Sequence, residues 1–166
     1  MAGRNVVLIG SMGAGKSTIG ARLAERLGYM LVDTDALVEQ AAGETIAEIW
    51  ARDGEEGFRR REHEAVLKAC AGSKRVIACG GGSILQLTNF GVLKGAGTIV
   101  YLRAPADALW ERIATSNTRP LVRDRAAFAK LLVERTPVYE SAADHILDVD
   151  DRSPDEIADQ IAGLVS

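Results

Sequence analysis

The chain has only two cysteines among its 166 residues, Cys70 and Cys79. One such pair builds neither a disulfide framework nor a four-ligand zinc site, so two reduced, buried thiols are expected. No run approaches the about 18 consecutive apolar residues of a membrane span. The N-terminal apolar stretch, Val6 to Ile9, is too short for a signal-peptide core and runs straight into Gly10. An excess of basic residues is missing as well: 20 Lys and Arg against 23 Asp and Glu leave a net charge of −3. That balance advertises no polyanion-binding surface. Repeats, low-complexity tracts and breaks in composition are also absent. These absences imply one domain over 1–166, cytoplasmic and monomeric by default, with no membrane and no nucleic-acid partner.

What is present alternates between two periods. Asn5 to Ile9 is a continuous apolar run rich in β-branched residues, as expected of a strand buried on both faces. Met30 to Val32, Val76 to Cys79 and Thr98 to Leu102 read the same way, and His145 to Val149 is a weaker fifth run. Helical patterns fall between them, at 16–28, 35–42, 45–53, 55–71, 105–115, 124–142 and 154–165. Ser153-Pro154-Asp155-Glu156 and Thr45 to Glu48 carry capping-box spacing. Strands alternating with helices predict an α/β fold with a mostly parallel sheet. Thr115 to Arg125 has no clear pattern, which suits either a surface turn or a binding loop.

Gly10-Ser11-Met12-Gly13-Ala14-Gly15-Lys16-Ser17 fits G-x-x-x-x-G-K-[ST], the phosphate-binding loop. Its glycines let the backbone curl until successive N–H groups face phosphate oxygens. Lys16 adds a point charge for the β- and γ-phosphates, and the Ser17 hydroxyl can ligate Mg²⁺. The loop stands between a buried strand and a helix, where the helix N-terminus faces the same anion. A nucleotide ligand follows.

Other residues bear on the acceptor. Asp33 and Asp35 end the second strand, and an extended Asp-Thr-Asp points both carboxylates one way. One suits Mg²⁺ held through water and the other an acceptor hydroxyl, unless the pair merely caps a helix. Arg59-Arg60-Arg61 lies among glutamates at i,i+4 spacing, so either a solvated salt-bridged face or one inward arginine fits. Gly80-Gly81-Gly82 follows a buried strand and permits close approach of the backbone to a ligand. Arg119 and Arg135 are further candidates for phosphate and carboxylate contacts.

These elements, in this order, resemble the shikimate kinases across almost the whole chain. The resemblance rests on GSMGAGKST at 10–18, DTD at 33–35, GEEGFRRRE at 54–62, GGG at 80–82, TRPL at 118–121 and ERTPVY at 134–139. It implies a three-layer P-loop kinase fold: a central five-stranded parallel sheet flanked by helices. A substrate-binding helical region would span about 34–61, and a mobile lid about 114–125. The implied reaction moves the γ-phosphoryl group of MgATP to the 3-hydroxyl of shikimate, with ATP and Mg²⁺ required. By the same resemblance, Gly13, Ala14, Gly15, Lys16, Ser17 and Thr18 hold ATP, and Ser17 and Asp33 serve Mg²⁺. Asp35 meets the shikimate hydroxyls, and Arg59 and Arg135 grip the carboxylate. Gly80, Gly81 and Gly82 line the pocket with Trp50 and Phe58, Trp50 standing where phenylalanine is common. Arg119 comes from the lid to the transferring phosphoryl group, with Arg123 and Arg125 as competitors for that role. Arg112 and Arg152 flank the adenine. Two rival readings are a related small kinase acting on gluconate or a nucleoside monophosphate, and a nucleotide-binding switch with no small-molecule acceptor.

Overall fold

The computed structural model describes residues 4–114 and 124–166. In chain order the elements are β1 (Asn5–Ile9), α1 (Lys16–Leu27), β2 (Met30–Asp33), α2 (Thr34–Ala42), α3 (Ile46–Cys70) and β3 (Arg75–Ala78). A 3₁₀ turn (Ser83–Leu85) follows, then α4 (Leu87–Ala96), β4 (Gly97–Arg103), α5 (Ala106–Ala114), α6 (Arg125–Ala142), β5 (His145–Asp148) and α7 (Pro154–Val165). The strands form one five-stranded sheet in the order β2-β3-β1-β4-β5, every pairing parallel. β1 lies at the centre, with Val7 opposite Ile77 on one side and Ile99 on the other.

Alternation along the strands divides the core between two faces. Val6, Leu8, Val76, Val100 and Leu102 pack against α1, α5 and α7 through residues such as Leu23, Leu109 and Ile157. Val7, Ile9, Ile77, Ile99 and Tyr101 pack on the other face against α3, α4 and α6 through Val66, Leu93 and Tyr139. A smaller cluster of Val38, Ile49, Phe58 and Ala65 joins α2 to α3. Both N-caps form: the Glu48 N–H donates to Thr45 Oγ1 and the Glu156 N–H to Ser153 Oγ, each at 3.1 Å.

Three expectations need correction. The Asp-Thr-Asp run is not extended: β2 ends at Asp33, whose Oδ1 accepts from the Ala36 N–H at 3.1 Å and so caps α2. Asp35 therefore sits in the first helical turn. Helix α4 and the 3₁₀ turn have no counterpart in the sequence patterns, because Gly91 and Gly95 interrupt the helical signal. The two thiols also differ: Cys79 is buried but Cys70 only half-buried. Within α3, Gly54 breaks helical geometry at φ 69°, ψ −169°, so the element is two helical segments meeting at a kink. That break coincides with the boundary between the patterns at 45–53 and 55–71.

The carboxyl ends of β1, β2 and β3 meet at one edge, and the chain enters sheets of this kind from opposite sides there. The phosphate loop leaves β1, Asp33 closes β2, and the three glycines follow β3. Of the lid expected over about 114–125, residues 115–123 lie outside the described residues, so Arg119 and Arg123 have no structural account.

Candidate active site

The loop between β1 and α1 holds its shape through glycines that no other residue replaces cheaply. Gly13 and Gly15 adopt φ 86° and φ 88°, and a Cβ on Gly13 would lie 2.9 Å from the Leu109 carbonyl oxygen. Lys16 folds back over the loop, its Nζ donating to the Gly10 and Ser11 carbonyls at 2.7 and 3.0 Å. The Ser17 hydroxyl donates to Asp33 Oδ2 at 2.5 Å. These two oxygen groups come from α1 and β2 and meet at the mouth of a cavity of about 280 Å³. Gly13, Gly15, Lys16, Ser17, Thr18, Asp33 and Asp35 line it, with Cys79 at its floor. Burial pushes the Cys79 thiol far up, which leaves it an inert wall rather than a nucleophile. Ser17 and Asp33 form a hard-oxygen donor pair too small to enclose a cation alone. Such a set suits Mg²⁺, which completes its shell from water and phosphate oxygens.

A second cavity, of about 200 Å³, adjoins the first. Arg59 and Arg135 enter it from α3 and α6, and Trp50, Phe58, Gly80, Gly81 and Gly82 also line it. Asp35 and Met12 line both cavities. Asp35 thus stands on the wall between a phosphate loop and a pocket carrying two guanidinium groups.

Of the three consecutive arginines, Arg59 turns inward, its side chain 16% exposed. Its Nη1 donates to Glu62 Oε1 at 2.9 Å, and Nη2 lies 3.6 Å from Glu55 Oε2. The Arg59 guanidinium also rests 5.2 Å from the Phe58 ring centroid and 5.9 Å from that of Trp50. Arg60 is exposed, and Arg61 reaches Asp53 at 3.7 Å. Glu62 is the residue that sequence reasoning passed over. It is 1% exposed, and burial raises its pKa against the pull of Arg59. The available signal was its position three residues after Arg59, on the same helix face.

The three glycines do more than admit a ligand. None has positive φ, so the requirement is space rather than backbone freedom. A Cβ on Gly80 would lie 2.5 Å from Asp35 Oδ1, one on Gly81 3.3 Å from Arg135 Nη1, and one on Gly82 2.6 Å from Arg59 Nη1. Each missing side chain makes room for one polar group of the site.

The remaining candidates among the described residues line neither cavity. Arg112 Nη1 donates to the Gly13 carbonyl at 2.9 Å, and Arg152 Nη1 to the Asp148 carbonyl at 3.3 Å. Ala14 is buried within the loop. Arg125 pairs with Asp107 across α5 and α6.

The shikimate kinase family model matches residues 12–165. A shikimate kinase from Thermobifida fusca is 44% identical over 158 residues, covering 94% of this chain and 91% of that protein. One from Nostoc punctiforme is 39% identical over 166 residues, covering 98% and 91%. The solved structure of shikimate kinase from Acinetobacter baumannii in complex with shikimate is similar at a TM-score of 0.94 and 34% identity, covering 98% of this chain and 92% of that one. With the phosphate loop, the shared aspartate wall and the arginine-lined pocket in one continuous crevice, the chain belongs to the shikimate kinase family.

Proposed function

We propose that this protein transfers the γ-phosphoryl group of MgATP to the 3-hydroxyl of shikimate, giving shikimate 3-phosphate and ADP. The observation that carries this reading is the position of Asp35 on the wall common to the two cavities. ATP occupies the larger cavity, its β- and γ-phosphates against the loop amides and the Lys16 ammonium. Shikimate occupies the smaller one, its carboxylate held by Arg59 and Arg135 and its ring against Trp50 and Phe58. The region 34–61 is the substrate-binding region, and Gly80 to Gly82 line it.

Asp35 orients the 3-hydroxyl toward the γ-phosphorus. The new O–P bond forms as the bond to the bridging β,γ-oxygen breaks, ADP leaves with that oxygen, and Asp35 takes the hydroxyl proton. The transition state is loose, so positioning and charge neutralisation supply most of the acceleration. Ser17 and Asp33 would hold Mg²⁺, which would supply positive charge against the phosphate oxygens. Arg119 adds charge on the γ-phosphoryl group, and Arg112 and Arg152 belong to the nucleotide side. A cytoplasmic monomer suits this chemistry.

The test is ADP release in a coupled assay with MgATP, with and without shikimate, beside gluconate and a panel of nucleoside monophosphates. Stimulation by shikimate alone is expected. Turnover with another acceptor and none with shikimate overturns the assignment.

A further inference from the structure

Three consecutive glycines give a loop no stiffness of its own, because glycine loses more backbone freedom on ordering than any other residue. Gly80 to Gly82 nevertheless have to hold three polar side chains in register. Buried side chains from three different helices pin the loop. The Gly80 N–H donates to Thr34 Oγ1 at 3.0 Å, and Asn89 Nδ2 donates to the Ser83 carbonyl at 3.0 Å. Between them, the Tyr139 hydroxyl donates to the Gly81 carbonyl at 2.6 Å. Thr34, Asn89 and Tyr139 are all 0% exposed.

Tyr139 differs from the other two pins. It lies on α6 four residues beyond Arg135, so both side chains project from one helix face. The helix that carries Arg135 into the acceptor cavity therefore also grips the glycine against which Arg135 lies. Tyr139 itself lines neither cavity. Its ring is packed 5.1 Å from that of Tyr101, which leaves the hydroxyl as the group that joins the helix to the loop. We propose that Tyr139 is a positioning residue for the acceptor: its hydroxyl, by holding the Gly81 carbonyl, sets the spacing between the glycine loop and the Arg135 guanidinium. This rests on the reading of the second cavity as the shikimate site.

Tyr139→Phe removes the hydroxyl and keeps the ring. The acceptor KM is expected to rise about tenfold, while the ATP KM and kcat stay within about twofold. Amide hydrogen exchange at Gly80 to Ser83 is expected to quicken in the same variant, whatever the acceptor. Thr34→Val takes away the acceptor for the Gly80 N–H and is expected to show the same split, with Thr34→Ser restoring wild-type values. An unchanged acceptor KM overturns the proposal, as does an equal rise in both KM values. Should wild-type protein ignore shikimate, the acceptor reading fails, and exchange at the loop amides still decides the role of Tyr139: unchanged exchange in Tyr139→Phe rejects it.

Discussion

At Gly80 and Gly82 a methyl group would collide with the ends of flexible side chains, not with backbone. The side chains can swing away, so the fold survives while the site suffers. Gly80→Ala should displace Asp35 and lower kcat by at least about tenfold, with a melting temperature close to wild type. Gly82→Ala should displace Arg59 and act chiefly on the shikimate KM. Steady-state kinetics beside thermal melts check both, and a large fall in melting temperature with normal kinetics would reverse the argument. Glu62 gives the residue scale a pH dependence. Its carboxyl ordinarily titrates near 4.5, and burial raises it in the folded protein. The native state then holds a proton that the unfolded chain releases, so this contribution is present below 4.5 and disappears as pH rises through the folded value. Glu62→Gln does not titrate there. The stability of wild type relative to Glu62→Gln should therefore decline as pH rises above 4.5, as followed by denaturant titrations across pH. A flat difference from acid to neutral pH would count against it.

Among the elements, α2 shows how one residue serves two purposes. Asp33 caps the helix through Oδ1 and receives the Ser17 hydroxyl through Oδ2. Asp33→Asn keeps a capping oxygen and removes the charge, so kcat should fall while stability holds. Asp33→Ala should lose in addition about 1 kcal/mol of stability, measurable by urea unfolding. Such double use explains what was legible in the sequence and what was not. The strands were plain because unbroken apolar runs such as Val6 to Ile9 admit few other readings. The caps at Thr45 and Ser153 were plain because their chemistry is local. The choice among Arg59, Arg60 and Arg61 was not, since it depends on how α3, with Ile49 and Phe58 buried, rolls against Val38 of α2. Helix α4, whose helical signal Gly91 and Gly95 already interrupt, escaped for a related reason as well: its buried positions, Asn89 and Leu93, include a polar residue whose side chain meets His63, 26 residues earlier on α3.

For the molecule as a whole, the last helix matters as much as the site. Ile157, Ala158 and Ile161 of α7 are at most 1% exposed and complete the core face that supports α1. Burying two isoleucines contributes about 3–6 kcal/mol, a large share of the about 5–15 kcal/mol that holds an ordinary domain together. A chain stopped after Arg152 should therefore lose cooperative unfolding in circular dichroism melts. A sharp melt close to that of the intact chain would show that α1 and the sheet stand without it.

The partition between the two cavities is thin: among the described residues, Met12 and Asp35 alone line both sides of it. A bisubstrate inhibitor would exploit that narrowness. A carboxylate-bearing ring joined to adenosine through a phosphate bridge would cross the partition at Asp35, and the tether would make capture of its second half intramolecular. The optimal bridge length would then serve as a molecular ruler for the span between the acceptor hydroxyl and the β-phosphate.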